Sequence, residues 1–199
     1  LRTYMEKQNL DGFFVQNHEN VRYISGYTSD DAYLLITRGR QFLITDPRYT
    51  EHAQAECPDY TILNWRGAAP NVGEYAAQLA EQEGLKAVGF EKDLLTVKFH
   101  EALCTAPHTE WIGTEGVIEE FRSVKTPEEI EKLKVACDIA SRAFERIIRD
   151  IRVGVTEKEL ASRLSHYMVM EGSDTKPYGN ILISGARTSL LHGIPSSKA

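Results

Sequence analysis

The most regular pattern of apolar and polar positions in the chain lies between residues 122 and 151. Its apolar or small residues recur in alternating steps of three and four, at Ile130, Leu133, Cys137, Ala140, Phe144, Ile147 and Ile151. This spacing places them on one face of a helix. Thr126 caps the predicted helix, Glu129 completes a capping box, and Pro127 takes the first helical position. At the usual rise per residue the helix would be roughly 35–40 Å long, so it needs a surface to pack against.

The same stripe is compatible with a two-stranded coiled coil, because heptad repeats also alternate steps of three and four. Cys137 and Ala140 leave little apolar bulk in the middle of the stripe, and small residues allow close approach to a sheet. We therefore favour packing against a sheet. The helix then separates an α/β unit before it from a second unit that it opens, with the division near Ser123.

The first 121 residues alternate short β-rich runs with amphipathic segments. The predicted strands cover residues 12–16, 32–37, 41–45, 60–64, 86–91 and 110–113. The predicted helices cover residues 1–8, 17–26, 46–56, 72–84, 97–106 and 115–121. A short connection containing Gly39 joins the second and third strands, which is typical of a β-hairpin. This alternation predicts an α/β fold with a mixed sheet flanked by helices.

A second capped helix follows the long one, beginning at Thr156 with Glu159 as its capping-box partner and ending at Gly172. The run from Tyr178 to Ser184, YGNILIS, enters a glycine turn and is predicted to be a strand. One strand has no sheet to complete, so these elements would be the start of an incomplete α+β domain. The chain opens without Met and stops in a predicted loop, so we expect a piece of a longer protein.

Composition and charge narrow the class of protein. The chain has 199 residues, 42% of them apolar and 26% charged, as in an ordinary soluble globular protein. A net charge of −6 without any basic run argues against nucleic acid and anionic membranes as partners. No apolar stretch approaches the roughly 20 residues that span a bilayer, and no leader opens the chain. We therefore expect a cytoplasmic protein.

The cysteines are Cys57, Cys104 and Cys137. They are odd in number and far apart, which fits neither a disulfide framework nor a zinc knuckle. We interpret them as buried thiols.

Common catalytic motifs are absent from the sequence, including HExxH, GxSxG, the Walker loop and GxGxxG after a strand. No two of the six histidines stand at helical ligand spacing with a carboxylate beside them. His192 is the candidate catalytic residue because it lies in a polar, glycine-bounded tail, where a loop can hold an imidazole in a cleft. The plainer interpretation is an exposed or merely hydrogen-bonded imidazole.

Asp46 and Arg48 are candidate substrate-binding residues at the start of a predicted helix. Together they offer a carboxylate acceptor and a guanidinium fork side by side. The plainer interpretation is that Asp46 caps the helix and pairs locally with Arg48.

Five segments, taken in order, resemble the creatinase, prolidase and Xaa-Pro aminopeptidase superfamily. They are DGFFVQNHENVRYISGYT, FLITDPRYTEHA, FRSVKTPEEIEKLKVACDIASRAF, GVTEKELASRL and ISGARTSLLHGIPSSK. The stretch from Lys125 to Ile139 and the SG…HGxP tail are the specific parts of the likeness, which extends over the whole chain.

The resemblance implies a creatinase-type N-terminal domain over residues 1–121, used for homodimer contacts and for walling the active site of a neighbouring subunit. It implies that residues 122–199 start a pita-bread catalytic domain in which His192 orients or protonates the reacting group. Peptidase members hold two divalent ions, Mn, Co or Zn, with acidic and histidine ligands that follow the HGxP segment. Ala199 precedes that set, and capping explains Glu157 and Glu159, so we expect no metal or other cofactor in this chain.

The resemblance therefore predicts the N-terminal portion of a metal-dependent Xaa-Pro aminopeptidase or dipeptidase that acts on proline-containing peptides. Without cations to activate water and polarise the scissile carbonyl, we expect this chain to be inactive by itself. Two alternatives stay open. One is a creatinase-like amidinohydrolase that uses the same fold and histidine without metal, and the other is a non-catalytic assembly or binding module.

Overall fold

A six-stranded mixed sheet organises the first part of the chain. A computed structural model describes residues 1–174 and 179–199, and the chain divides into two compact units, Leu1–Val124 and Lys125–Ala199. The sheet lies in the first unit, and the second unit contains two long helices.

The strands follow the order β4-β3-β2-β1-β5-β6 across the sheet. Their bounds are β1 Gly12–Val15, β2 Ala32–Thr37, β3 Gln41–Thr45, β4 Thr61–Asn64, β5 Ala87–Glu91 and β6 Glu110–Thr114. Strand β2 is antiparallel to both of its neighbours, β1 and β3, while the other adjacent pairs are parallel. The predicted mixed α/β fold is confirmed, and so is the hairpin, whose register pairs Ala32 with Thr45.

Helices precede or follow most of these strands. Their bounds are α1 Arg2–Lys7, α2 His18–Ser25, α3 Thr50–Glu56, α4 Val72–Gln82, α5 Val97–Leu103 and α6 Val117–Ser123. A 3-10 turn, Pro47–Tyr49, precedes α3, so the helix predicted from residue 46 begins with a tighter turn. Asn17 caps α2 as predicted, and Gly26 ends it at φ 80°, a conformation that glycine adopts without strain.

Side chains alternate between the two faces of the sheet and form two hydrophobic clusters. On β1, Phe13 and Val15 belong to one cluster and Phe14 to the other. The first cluster includes residues of α1, α2, α3 and α6, and the second includes residues of α4 and α5. Helices therefore cover the sheet on both faces, as parallel strands require.

A buried carboxylate joins the end of β5 to the start of α2. Glu91 accepts hydrogen bonds from the backbone amides of Gln16 at 2.7 Å and Asn17 at 2.8 Å. It also accepts one from the Asn20 side chain at 2.6 Å, and Arg122 donates to the same Asn20 at 2.8 Å. Amides before a helix have no partner within it, so Glu91 satisfies donors that would otherwise be buried without one.

Two capped helices, α7 Pro127–Ile148 and α8 Glu157–Met170, form the frame of the second unit. Thr126 with Glu129, and Thr156 with Glu159, make both predicted capping boxes. In the described ranges, no helix is both long enough and apolar enough to cross a membrane.

Much of the apolar face of α7 is exposed. Ala143 and Ile147 are buried along it. The apolar residues left exposed are Ile130, Leu133, Phe144 and Ile148 on the helix and Ile151 beyond its end. The described part of the chain therefore does not supply the whole partner surface that the sequence pattern of this helix requires.

The strand predicted from Tyr178 to Ser184 is wrong where the structure describes it. Residues 179–184 form no strand, and Tyr178 lies outside the described residues. A strand needs a neighbour for its amides, and the second unit offers none in its described part. Instead, the Asn180 side chain donates to the Ala161 carbonyl at 3.1 Å and to Ser165 Oγ at 2.9 Å, which attaches the segment to α8.

The prediction of three buried thiols is correct for Cys57 and wrong for Cys104 and Cys137. Cys57 Sγ donates to the Ser25 carbonyl inside the first hydrophobic cluster. Cys104 ends α5 at the surface, and Cys137 lies on the exposed part of α7. Sequence position on an apolar stripe did not guarantee burial, because burial also needs a covering element.

Truncation of Leu43, a fully buried residue on β3, tests the first cluster. Leu43→Ala leaves a cavity in the sheet and should lower the free energy of unfolding by about 2–5 kcal/mol. Equilibrium urea unfolding measures the change, and Leu94→Ala, at an exposed position, is the matched control. Equal midpoints for the two variants would contradict the assigned core.

Candidate functional site

The tail loop, residues 184–196, carries His192 and lies against the start of α8. Two backbone hydrogen bonds bring the tail to the helix: the Glu157 amide donates to the Lys198 carbonyl at 2.9 Å, and the Lys158 amide donates to the Ser196 carbonyl at 3.0 Å. A 3-10 turn, Gly185–Ser189, begins the loop. The tail thus supplies acceptors for amides in the first turn of α8, where the helix has none of its own.

His192 itself is exposed, in a turn after the 3-10 segment. The next residue, Gly193, is buried, and a Cβ on it would lie 2.5 Å from Ile183 Cδ1. Any larger residue at position 193 would therefore require the Ile183 side chain to move. The structure places the predicted imidazole on a loop, as expected, and its catalytic role stays a prediction.

Glu157 is the buried charge beneath this loop. Its side chain is 2% exposed, and Oε1 accepts the Ser184 amide at 2.8 Å. Oε2 accepts the Ser196 amide at 3.0 Å, the Ser196 hydroxyl at 2.7 Å and Arg187 Nε at 3.2 Å. Burial alone would raise the pKa of this carboxyl, but the donors of Ser196, the Ser184 amide and the Arg187 charge outweigh it and lower the pKa to about 2.

Sequence reasoning missed this role, because it explained both Glu157 and Glu159 by capping. The capping box uses only Glu159, at the third helical position. Glu157, at the first helical position, takes no part in the capping box. A second glutamate that the capping motif does not need was the signal in the sequence that pointed to another role.

Asp46 lies at the end of β3 with its side chain 1% exposed. Oδ1 accepts the Arg48 amide at 3.0 Å and Arg48 Nε at 2.8 Å, while Oδ2 accepts Arg66 Nε. Donation by the Arg48 side chain and amide, and then by Arg66, holds the pKa of the Asp46 carboxyl well below its usual range. The predicted pairing of Asp46 with Arg48 is present in the structure, and Arg66, from after β4, is a partner that sequence reasoning did not find.

Both arginines of this cluster are largely exposed, with Arg48 at 70% and Arg66 at 57%. Arg48 lies over the Tyr49 ring and Arg66 over the Trp65 ring. Two guanidinium groups thus share one buried carboxylate, and a second carboxylate, Asp31, is close enough to interact with both arginines. Asp46 and Arg48 belong to the first unit and His192 to the second, and each group is defined within its own unit.

Comparison with known protein families gives two matches. Residues 1–124 match the model of the creatinase/prolidase N-terminal domain. Residues 131–199 match the model of metallopeptidase family M24.

Individual relatives give the same picture. An uncharacterized peptidase of Bacillus subtilis is 31% identical over 199 residues, which is 100% of this chain and 56% of that protein. The Xaa-Pro dipeptidase of Pyrococcus horikoshii is 29% identical over 98% of this chain and 54% of its own length. A solved Xaa-Pro dipeptidase from Bacillus anthracis has a TM-score of 0.89 and 34% identity, covering 99% of this chain and 55% of that one. The chain thus spans about half the length of the curated relatives it matches.

Asp46→Asn tests the buried charge of the first unit. A carboxyl whose pKa falls on folding stabilises the fold above its ordinary pKa of 3.8, and this contribution is lost as the pH falls towards the lower folded value. Asp46→Asn should therefore unfold at lower urea than the unchanged chain at pH 7, and the gap should narrow below about pH 3.8.

The difference in urea midpoint between Asp46→Asn and the unchanged chain is measured at several pH values between pH 7 and pH 2. Asp30→Asn is the control, because the Asp30 side chain is 97% exposed, and its midpoint should stay close to that of the unchanged chain. A gap for Asp46→Asn that stays constant on acidification would contradict the buried ion pairs.

Proposed function

The chain belongs to the family of creatinase/prolidase N-terminal domains, and on that basis we propose that it is the N-terminal portion of a protein that hydrolyses peptide bonds next to proline. The supporting observation is a likeness to Xaa-Pro dipeptidases that extends through both units, over 98% of the chain in sequence and 99% in structure. The activity belongs to the whole protein. The 199-residue chain contributes homodimer contacts and walls of the active site, and is inactive alone.

In this proposal His192 contacts the peptide and orients or protonates its reacting group. The imidazole is exposed to an incoming ligand, while hydrogen bonds from Ser184 and Ser196 to Glu157 fix the loop that bears it. An accessible side chain on a fixed backbone is what proton transfer in a defined geometry needs.

Asp46 and Arg48 take different parts in the proposed substrate binding. Asp46 is buried with both oxygens occupied, so it positions the arginines rather than contacting a ligand. Arg48 reaches Asp46 through Nε, and the rest of its largely exposed guanidinium is accessible to a substrate. A planar guanidinium matches a carboxylate, which proline-containing peptides carry at one end.

Two divalent ions, Mn, Co or Zn, belong to the whole protein in this proposal, in line with the metallopeptidase family matched by residues 131–199. Such ions supply an activated water when bound. Within the described ranges there is no group of three His, Cys, Asp or Glu side chains that fits a metal ion. The residues present do not fit this site, so the proposal places its ligands outside them.

The proposed domain division assigns residues 1–121 to the N-terminal domain and residues 122–199 to the start of the catalytic domain. Dimerisation and a cytoplasmic location remain parts of the same proposal.

His192→Ala in the whole protein should lower kcat on an Xaa-Pro dipeptide by about 10²–10⁴-fold, because a general acid–base group is lost. Metal content and the unfolding midpoint should not change. His108→Ala, at an exposed position of the first unit, is the matched control. Turnover at the rate of the unchanged protein would refute the role of His192, and cleavage of creatine instead of the dipeptide would favour the amidinohydrolase.

Elemental analysis tests the placement of the metal ligands. After incubation with Mn, Co or Zn and gel filtration, the 199-residue chain should retain well below one equivalent, whereas the whole protein should retain about two. A tight dinuclear site in the 199-residue chain would overturn this placement.

A further inference from the structure

The loop that carries His192 is closed at its base by one side chain. Ser184 precedes His192 and Ser196 follows it, and the backbone amides of both donate to the carboxylate of Glu157. The two ends of the loop are therefore held together through a group that belongs to neither end. Joining the ends of a loop in this way reduces the number of conformations open to the residues between them.

Further contacts brace the same closure. Arg187 donates from Nε to Glu157 and from Nη2 to the Ile194 carbonyl at 2.7 Å. Its side chain therefore links the base of the loop to a residue two positions after His192. Lys198 Nζ donates to Ser184 Oγ at 2.7 Å from beyond the loop. These contacts give the loop a defined shape without a hydrophobic core of its own.

The negative charge of Glu157 suits this position better than a neutral side chain does. The groups that face it are N–H and O–H donors together with one guanidinium, and an ionised carboxylate is an acceptor at both oxygens. The lowered pKa of Glu157, which burial opposes and the Ser196 donors favour, agrees with a carboxylate that is ionised at neutral pH. A glutamine of the same size would place an NH2 group against these donors.

We propose that Glu157 is a positioning residue that closes the base of the tail loop and thereby sets the place of the His192 imidazole. The proposal rests on the proposed function of His192, and goes beyond it by naming the group on which that function depends. It concerns a residue that does not contact the substrate.

Hydrogen exchange of the 199-residue chain tests the closure without any activity. Glu157→Gln should speed exchange of the Ser184 and Ser196 amides by about tenfold or more, because hydrogen bonds to a charged acceptor are lost. Amides in the middle of α8 should exchange as in the unchanged chain. Glu159→Gln removes a charge two residues away but keeps a residue that can complete a capping box, so it is the matched control.

A double-mutant cycle in the whole protein then tests the positioning role. Glu157→Gln should lower kcat on an Xaa-Pro dipeptide by about tenfold or more, and should have little further effect when His192 is already alanine. Glu157→Asp keeps the charge on a shorter side chain. Its amide exchange rates and its kcat should lie between those of the unchanged protein and those of Glu157→Gln. Glu159→Gln should leave kcat unchanged.

The outcomes separate the two proposals. Unchanged exchange at Ser184 and Ser196 in Glu157→Gln would overturn the closure. An equal loss of kcat with and without His192 would show a general structural effect and overturn the positioning role. A whole protein that does not cleave Xaa-Pro peptides would overturn the proposed function and with it the positioning role, while the exchange result would still decide whether Glu157 closes the loop.

Discussion

A carboxylate buried among hydrogen-bond donors is the interaction on which the second unit depends. In the described part of that unit, the buried apolar side chains are Ala143, Ile147 and Leu160, which is little for a hydrophobic core. Residues 179–199 of the tail pair with no strand in the described ranges either, so polar contacts must hold them. Glu157 supplies them at a point where tail and helix meet, and its buried charge is tolerated because donors surround both of its oxygens.

The first unit also contains two buried carboxylates that accept hydrogen bonds from backbone amides, although this unit has a full hydrophobic core as well. Glu91 collects the amides that lead into α2, and Asp46 collects the amide and side chain of Arg48 at the turn after β3. In each case a carboxylate accepts from backbone N–H groups at or just before the start of a helical segment, where the helix itself offers them no acceptor. The sheet and helices fix the framework, and these carboxylates fix the irregular segments between them.

Most of the framework could be predicted from local patterns, because a helix cap, a hairpin turn or an amphipathic stripe depends on neighbouring residues. Thr126 and Thr156 cap the predicted helices, and the hairpin has the predicted ends. The failures concern long-range contacts. Residues 179–184 have strand-like composition but no partner strand among the residues that the structure describes, and Cys137 lies on an exposed part of the apolar stripe. Arg66 reaches Asp46 from 20 residues away, and Glu157 reaches Ser196 from 39 residues away, so no local pattern reveals either pairing.

The family match supports the proposal that the whole protein cleaves peptide bonds next to proline, and the proposed role of Glu157 is to hold the loop that carries His192. The measurement that tests this role most directly is an NMR titration of the Glu157 side-chain carboxyl in the folded chain. We expect a pKa of about 2, because hydrogen-bond donors to both oxygens stabilise the ionised carboxylate. A pKa at or above the ordinary value of 4.5 would show that burial outweighs those donors, and would contradict the account.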